Sequence, residues 1–359
     1  MVRDTALYQR VYGCLLGGAV GDAMGFPTEG WHYSAIRRRY GGLLREPAIR
    51  PGGEQLRPPV ASHVYTDDTV MKHMVCQAIF DCGGHPTIEA VAAVWRRTIT
   101  DLDSWVWWLN TRVVASKLRW NSLLDLRDVG RDSIPCDDAA MIVGPIGLLN
   151  AGDPQRAATE TWDISALWQH GYSRECAAAM AAAHAEALRP NATVDSVIAV
   201  AKKFGPTLAP HIDAALELVG QCRDAEEFTV RYYAEQLHFP NPEYWTFGRS
   251  DPDYSFGADP LEVCTEALAF LALAQGDGEA AIIGAINFGR DCDTIAGLAA
   301  ALCGALHGPA TIPQRWAATI LRDNPEPDIA EYAERLTGLI LENASRIEAQ
   351  VADIRALLH

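Results

Sequence analysis

The chain has 359 residues, 49% of them apolar, with 46 acidic against 30 basic side chains and a formal net charge of −16. That surplus of carboxylates excludes nucleic acid and anionic membranes as main partners, since both call for a basic footprint. The nine cysteines are scattered without a CxxC pair or a Cys/His set at zinc spacing, and the charged N-terminus lacks an apolar signal core, so the expectation is a cytoplasmic protein with reduced thiols.

In chain order, the first predicted helix carries Leu7, Val11, Cys14, Leu15 and Gly18 on one face. Gly13, Gly17, Gly21 and Gly25 recur every four residues, so a second face has no side chains and admits another backbone at close range. Glu29 follows on a proline-containing turn, as either a turn residue or an active-site acid. A Pro/Gly-rich loop over 45–60 leads to "YTDDT", where Thr66, Asp67, Asp68 and Thr69 open the next helical run. Threonine and aspartate there are good helix caps, and that reading stands beside one in which the carboxylates grip a ligand.

Helical spacing then runs through 88–100, 174–188, 193–203, 211–222, 261–274, 279–288 and 294–306, while strand-like alternation is scarce. An irregular stretch over 239–260 mixes Pro, Gly and aromatics. Beyond it, "GRDCDT" places Asp291, Asp293 and Thr294 ahead of a second apolar helix. The tail carries Ala344, Ile347, Val351, Ile354 and Leu358 at heptad spacing, expected to pack back on the body, with a self-association seam as the alternative. No composition shift or repeat divides the chain, so one domain over 1–359 is expected, with a core at about 10–310 and C-terminal helices over about 311–359.

Two clusters, each with paired carboxylates and threonine ahead of a buried helix, exceed what capping requires. If the helix ends converge, like charges must be relieved by protons or by cations. An all-oxygen ligand set without His or Cys suits Mg²⁺, with Mn²⁺ or Ca²⁺ as substitutes, and four carboxylates can neutralise two such ions.

"GDAMGFPTEG", "YTDDT" and "GRDCDT", in this order and separation, resemble the ADP-ribosylglycohydrolase family from about residue 10 to about 310. The resemblance implies an all-α fold, a compact orthogonal multi-helix bundle around a binuclear Mg²⁺ or Mn²⁺ site. It implies Thr66, Asp67, Asp68, Asp291, Asp293 and Thr294 as metal ligands, and Glu29 as the glutamate beside the ribose. Cleavage at the anomeric carbon of a ribosyl group follows, with Glu29, Asp67 or Asp68 handling the water. The substrate would be a small ribosyl compound or an ADP-ribosylated protein side chain, and the protein a monomer or small homo-oligomer.

Three departures accompany the resemblance. In "IPCDDAAMIVGPIGLL", over 134–149, Met141 and the Pro145 turn are kept. Asp137 and Asp138 stand where a phosphate-friendly turn is expected, and Ile142 replaces an arginine. These carboxylates either cap a helix near Ala139 or face substrate, where they would disfavour a diphosphate. Arg290 replaces a glycine and is expected to contact a phosphate or a carboxylate. His184 aligns loosely with a substrate-side histidine, against an ordinary core role. The alternatives are therefore a hydrolase for a ribosyl or nucleoside-like compound lacking the diphosphate, and a non-catalytic binding or structural protein.

Overall fold

The computed structural model describes residues 2–50, 60–121, 123–237 and 251–357. Parts of the 45–60 and 239–260 stretches, and Leu358, lie outside the described residues. Among the described residues the chain forms α-helices and short 3-10 turns, and extended pairing is limited to isolated bridges, Trp31 with Tyr254 and His32 with Gly289. The all-α expectation holds.

The helices are α1 (Ala6–Gly25), α2 (Tyr33–Tyr40), α3 (Asp67–Cys82), α4 (Ile88–Thr98), α5 (Leu109–Trp120), α6 (Gly144–Leu149), α7 (Pro154–Ile164) and α8 (Gly171–Ala187). They continue as α9 (Val194–Phe204), α10 (Ala209–Val219), α11 (Ala225–Glu235), α12 (Pro260–Leu273), α13 (Gly278–Phe288), α14 (Cys292–His307), α15 (Gln314–Asp323) and α16 (Ile329–Ala356). Many starts are written locally. Thr5, Thr87, Thr193, Asp259, Asp277 and Asp328 each accept a backbone N–H of their own first turn. Several short helices, α2, α7 and α11 among them, were not resolved by periodicity, because their apolar faces are narrow.

At the centre, α1 lies antiparallel on α14, backbone against backbone. A Cβ on Gly13 would fall 2.6 Å from the Gly304 carbonyl oxygen, on Gly17 2.3 Å from that of Ala300, and on Gly21 2.4 Å from that of Ala296. At Gly25 it would meet the Asp293 Cα at 2.4 Å. No side chain fits at any of these four positions. The pairing therefore delivers the C-terminal end of α1, and the turn bearing Glu29, to the N-terminus of α14.

Around this pair, α8, α12 and α14 are buried on nearly every face, which explains their alanine- and leucine-rich composition. In α16, Ile329, Ala333, Leu336 and Ile340 pack on the body, but every described residue from Ala344 onward is exposed. The expected packing of the heptad-spaced tail therefore stops halfway along that helix. No helix among the described residues is long and apolar enough to cross a membrane.

Candidate active site

Three helix ends and one tight turn converge on a small acidic pocket. It is lined by Glu29 from the turn after α1, Asp67 and Asp68 from the start of α3, and Asp291 and Thr294 from the start of α14. Asp137, Asp138 and Met141 close it from the 3-10 turn Asp137–Ala139 and the residues after it, and Trp108, Phe256 and Ala258 complete the wall. The two acidic clusters, more than 200 residues apart in sequence, thus meet as expected.

Glu29, Asp291 and Asp293 are all buried, and each places a carboxylate oxygen within 4.8 Å of the other two. Arg50 Nη1 donates to Glu29 Oε2 at 2.9 Å and to the Phe26 carbonyl, with its guanidinium 4.5 Å from the Phe26 ring centroid. Arg50 is fully buried, so this ion pair holds the Glu29 side chain in place from behind. Thr294 Oγ1 donates to Asp291 at 3.3 Å, and Thr66 Oγ1 to Asp68 at 3.2 Å, so both threonines orient a site carboxylate.

The α3 start is pinned from outside its own segment. Asp22, fully buried on α1, accepts the Thr66 N–H at 2.9 Å, the Thr69 N–H at 3.0 Å and the Thr69 hydroxyl. Burial pushes its carboxyl up to about 6, against these hydrogen bonds and nearby Lys72, which pull it down. With a distant aspartate satisfying these donors, Asp67 and Asp68 face the pocket. Asp22 was not singled out from the sequence, although it sits inside the quoted "GDAMG".

The departures resolve differently from one another. Asp137 and Asp291 line one pocket, and burial, followed for Asp291 by repulsion from Asp137 and Glu29, raises both carboxyls well above the ordinary range. Asp138 accepts from Asn110 Nδ2 and, at 2.8 Å, from Gln169 Nε2, and burial lifts it to about 7. Neither is spent on capping alone.

Two residues expected at the substrate lie outside the pocket lining. His184 is buried with Nδ1 bonded to the Met180 carbonyl at 2.8 Å and Nε2 packed against Gly144, outside the pocket lining. Burial pushes it down to about 4, as for a neutral core imidazole. Arg290 does meet a carboxylate, but that of Glu262, in a two-pronged ion pair, and it donates to Ser255 Oγ at 3.0 Å. It belongs to a seam behind Glu29: the Gly30 N–H donates to the Arg290 carbonyl at 2.7 Å, and the Ser255 N–H to the Gly30 carbonyl at 3.0 Å. A Cβ at Gly257 would strike the Arg290 guanidinium at 1.9 Å, so the loop bearing Phe256 closes directly over it. Ile142 is fully buried in the core, so an arginine in its place would enter the core.

Residues 3–346 match the family model described as ADP-ribosylglycohydrolase. The chain belongs to the ADP-ribosylglycohydrolase family. It is 28% identical over 322 residues to the uncharacterized protein YegU of Escherichia coli K12, covering 84% of this chain and 88% of that one. It is 26% identical over 317 residues to an uncharacterized protein of Archaeoglobus fulgidus, with the same coverage. A solved structure titled "ADP-ribosylglycohydrolase-related protein complex" superposes with a TM-score of 0.65 at 21% identity, over 93% of this chain and 99% of that one, which shows the fold. Membership in the family supports a glycohydrolase-like activity.

Proposed function

We propose that this ADP-ribosylglycohydrolase-family protein is a divalent-cation-dependent hydrolase of the bond at the anomeric carbon of a ribosyl group. The observation that carries the reading is the buried set Glu29, Asp291 and Asp293 with mutual oxygen separations within 4.8 Å, two of which, Glu29 and Asp291, line one pocket with Asp67 and Asp68. Carboxylates this close in a buried site repel unless protons or cations lie between them. The donors are all hard oxygens, and the Asp137 Oδ2 atom is buried without a hydrogen-bond partner among the described residues, which fits Mg²⁺ or Mn²⁺. Asp67, Asp68, Asp291 and Asp293, with Thr66 and Thr294 orienting two of them, would hold such a pair.

When bound, the cations would supply an anchor for vicinal ribose hydroxyls and Lewis-acid polarisation. The chain's own groups do the rest. Asp67, Asp68 or Glu29 takes a proton from the attacking water as its oxygen bonds to the anomeric carbon; the broken bond's electron pair stays with the leaving atom, which gains a proton from solvent or a site carboxyl. Arg50 keeps Glu29 from swinging out of the pocket. Trp108 and Phe256, with ring centroids 5.4 Å apart, cover one wall and limit bulk water.

Within this reading, Asp137 and Asp138 favour a ribosyl compound without a diphosphate, because both line the pocket. At an effective dielectric of about 20, a like-charge contact at about 4 Å costs roughly 4 kcal/mol before screening. ADP-ribosyl-arginine, ADP-ribosyl-serine, ADP-ribose and simple ribosides, incubated with protein and Mg²⁺, should give sugar release that EDTA abolishes. Release should be fastest from substrates without phosphate. No release from any member, or release that EDTA leaves unchanged, would sink the proposal.

A further inference from the structure

Asp137 and its neighbour Asp138 are pocket carboxylates that lie outside the motifs carrying the family resemblance. Asp137 comes from a turn between α5 and α6, held by its own N–H donating to the Ala258 carbonyl at 3.0 Å and by its carbonyl accepting from the Met141 N–H at 3.0 Å. Its side chain is 4% exposed and lines the pocket beside Asp68 and Asp291. Among the described residues its Oδ2 has no hydrogen-bond partner, despite complete burial of that atom. An unpaired buried carboxylate oxygen is expensive, at about 1–3 kcal/mol or more for a charged group. Asp138, its neighbour, has no such vacancy, because Asn110 and Gln169 take one oxygen each.

We propose that Asp137 is a metal-ligating residue of this chain, sharing one divalent cation with Asp291. The inference rests on the cation-dependent reading above. A cation shared by Asp137 and Asp291 would satisfy the open Oδ2. The site carboxylates then outnumber the charges of two divalent cations. The pocket stays negative when loaded, which selects neutral or cationic ribosyl compounds over diphosphates.

Calorimetric titration of the full chain with Mn²⁺ should show two ions bound, and Asp137→Asn should weaken one of them by about tenfold or more. A thermal melt of the variant checks that it folds. Crystals of the unaltered protein soaked in Mn²⁺ give a reading that needs no variant, an anomalous peak within about 2.5 Å of an Asp137 oxygen. Asp137→Asn binding both ions within twofold of the unaltered protein, or both peaks lying beyond about 4 Å from Asp137, would overturn this assignment alone. Failure of the unaltered protein to bind Mn²⁺ would overturn the cation-dependent function with it.

Discussion

Asp22 shows how one buried side chain decides what its neighbours are free to do. Its carboxylate gathers two backbone N–H groups and a hydroxyl at the first turn of α3, so that turn is fixed with Asp67 and Asp68 directed into the pocket. Asp22→Asn keeps the shape but offers one acceptor oxygen and brings an amide toward donors. It is expected to destabilise the protein by about 1–3 kcal/mol in urea unfolding. The same change should weaken Mn²⁺ binding by about tenfold, although Asp22 is not among the pocket-lining residues. Metal affinity unchanged alongside the stability loss would mean that Asp22 supports the fold only. Asp67, Asp68, Asp291 and Asp293 were legible from residue type and spacing. Asp22 and Arg50 were not, because a buried aspartate in a glycine-rich helix and an arginine in a proline-rich loop carry no local signal of what they touch.

For the elements, the α1–α14 pair depends on missing side chains. Gly21→Ala gains up to about 1 kcal/mol of helix propensity, but its Cβ would fall 2.4 Å from a backbone carbonyl that cannot swing aside. Overpacking of this kind typically costs about 1–3 kcal/mol, so the clash wins and the melting temperature should fall. Gly338→Ala on α16 meets nothing within 4 Å and should raise it slightly. The same substitution with opposite signs at two helix positions is checked by paired thermal melts. A Gly21→Ala variant as stable as the unaltered chain would show that the helices separate without penalty. The four-residue glycine spacing announced a close approach in the sequence. Its partner, α14, could not be named there, because nothing local marks which of several alanine-rich helices presents a backbone at the matching rise.

The whole molecule buries a group of carboxyls at its centre and neutral imidazoles in its core. His73 is pushed down to about 3 by burial, with Lys72 adding to the shift, and its ring packs edge-on to Tyr65 and Tyr332. A folded-state value below the unfolded one means the unfolded chain binds the extra proton. The contribution is intact above about pH 6.5 and is lost as the pH falls toward the folded value. By pH 5 the loss from this one group is about 2 kcal/mol. The buried carboxyls work the other way: Asp22, raised to about 6, makes folding less favourable as the pH rises from about 4 through 6. Comparison with a variant isolates the histidine. His73→Leu should lose less stability than the unaltered chain between pH 7.5 and 5, by about 2 kcal/mol in urea titrations at each pH. Parallel pH profiles for the two proteins would show that His73 is protonated in the folded state.

The sequence by itself determined the helical class, because the 3.6-residue periodicity of apolar residues is local. It also determined two acidic helix starts and a glycine stripe, because these are matters of residue type and spacing. Only the tertiary structure decided that the two starts share one pocket, that Asp137 joins them, and that Arg290 and His184 turn away. Those outcomes depend on which buried group pairs with which. Glu262 claims Arg290, the Met180 carbonyl claims His184, and Asp137 joins Asp291 in the pocket lining. Such pairings join residues between four and more than 150 positions apart, and burial makes each of them decisive, since an unpaired polar group inside the protein costs more than the pairing gains in water.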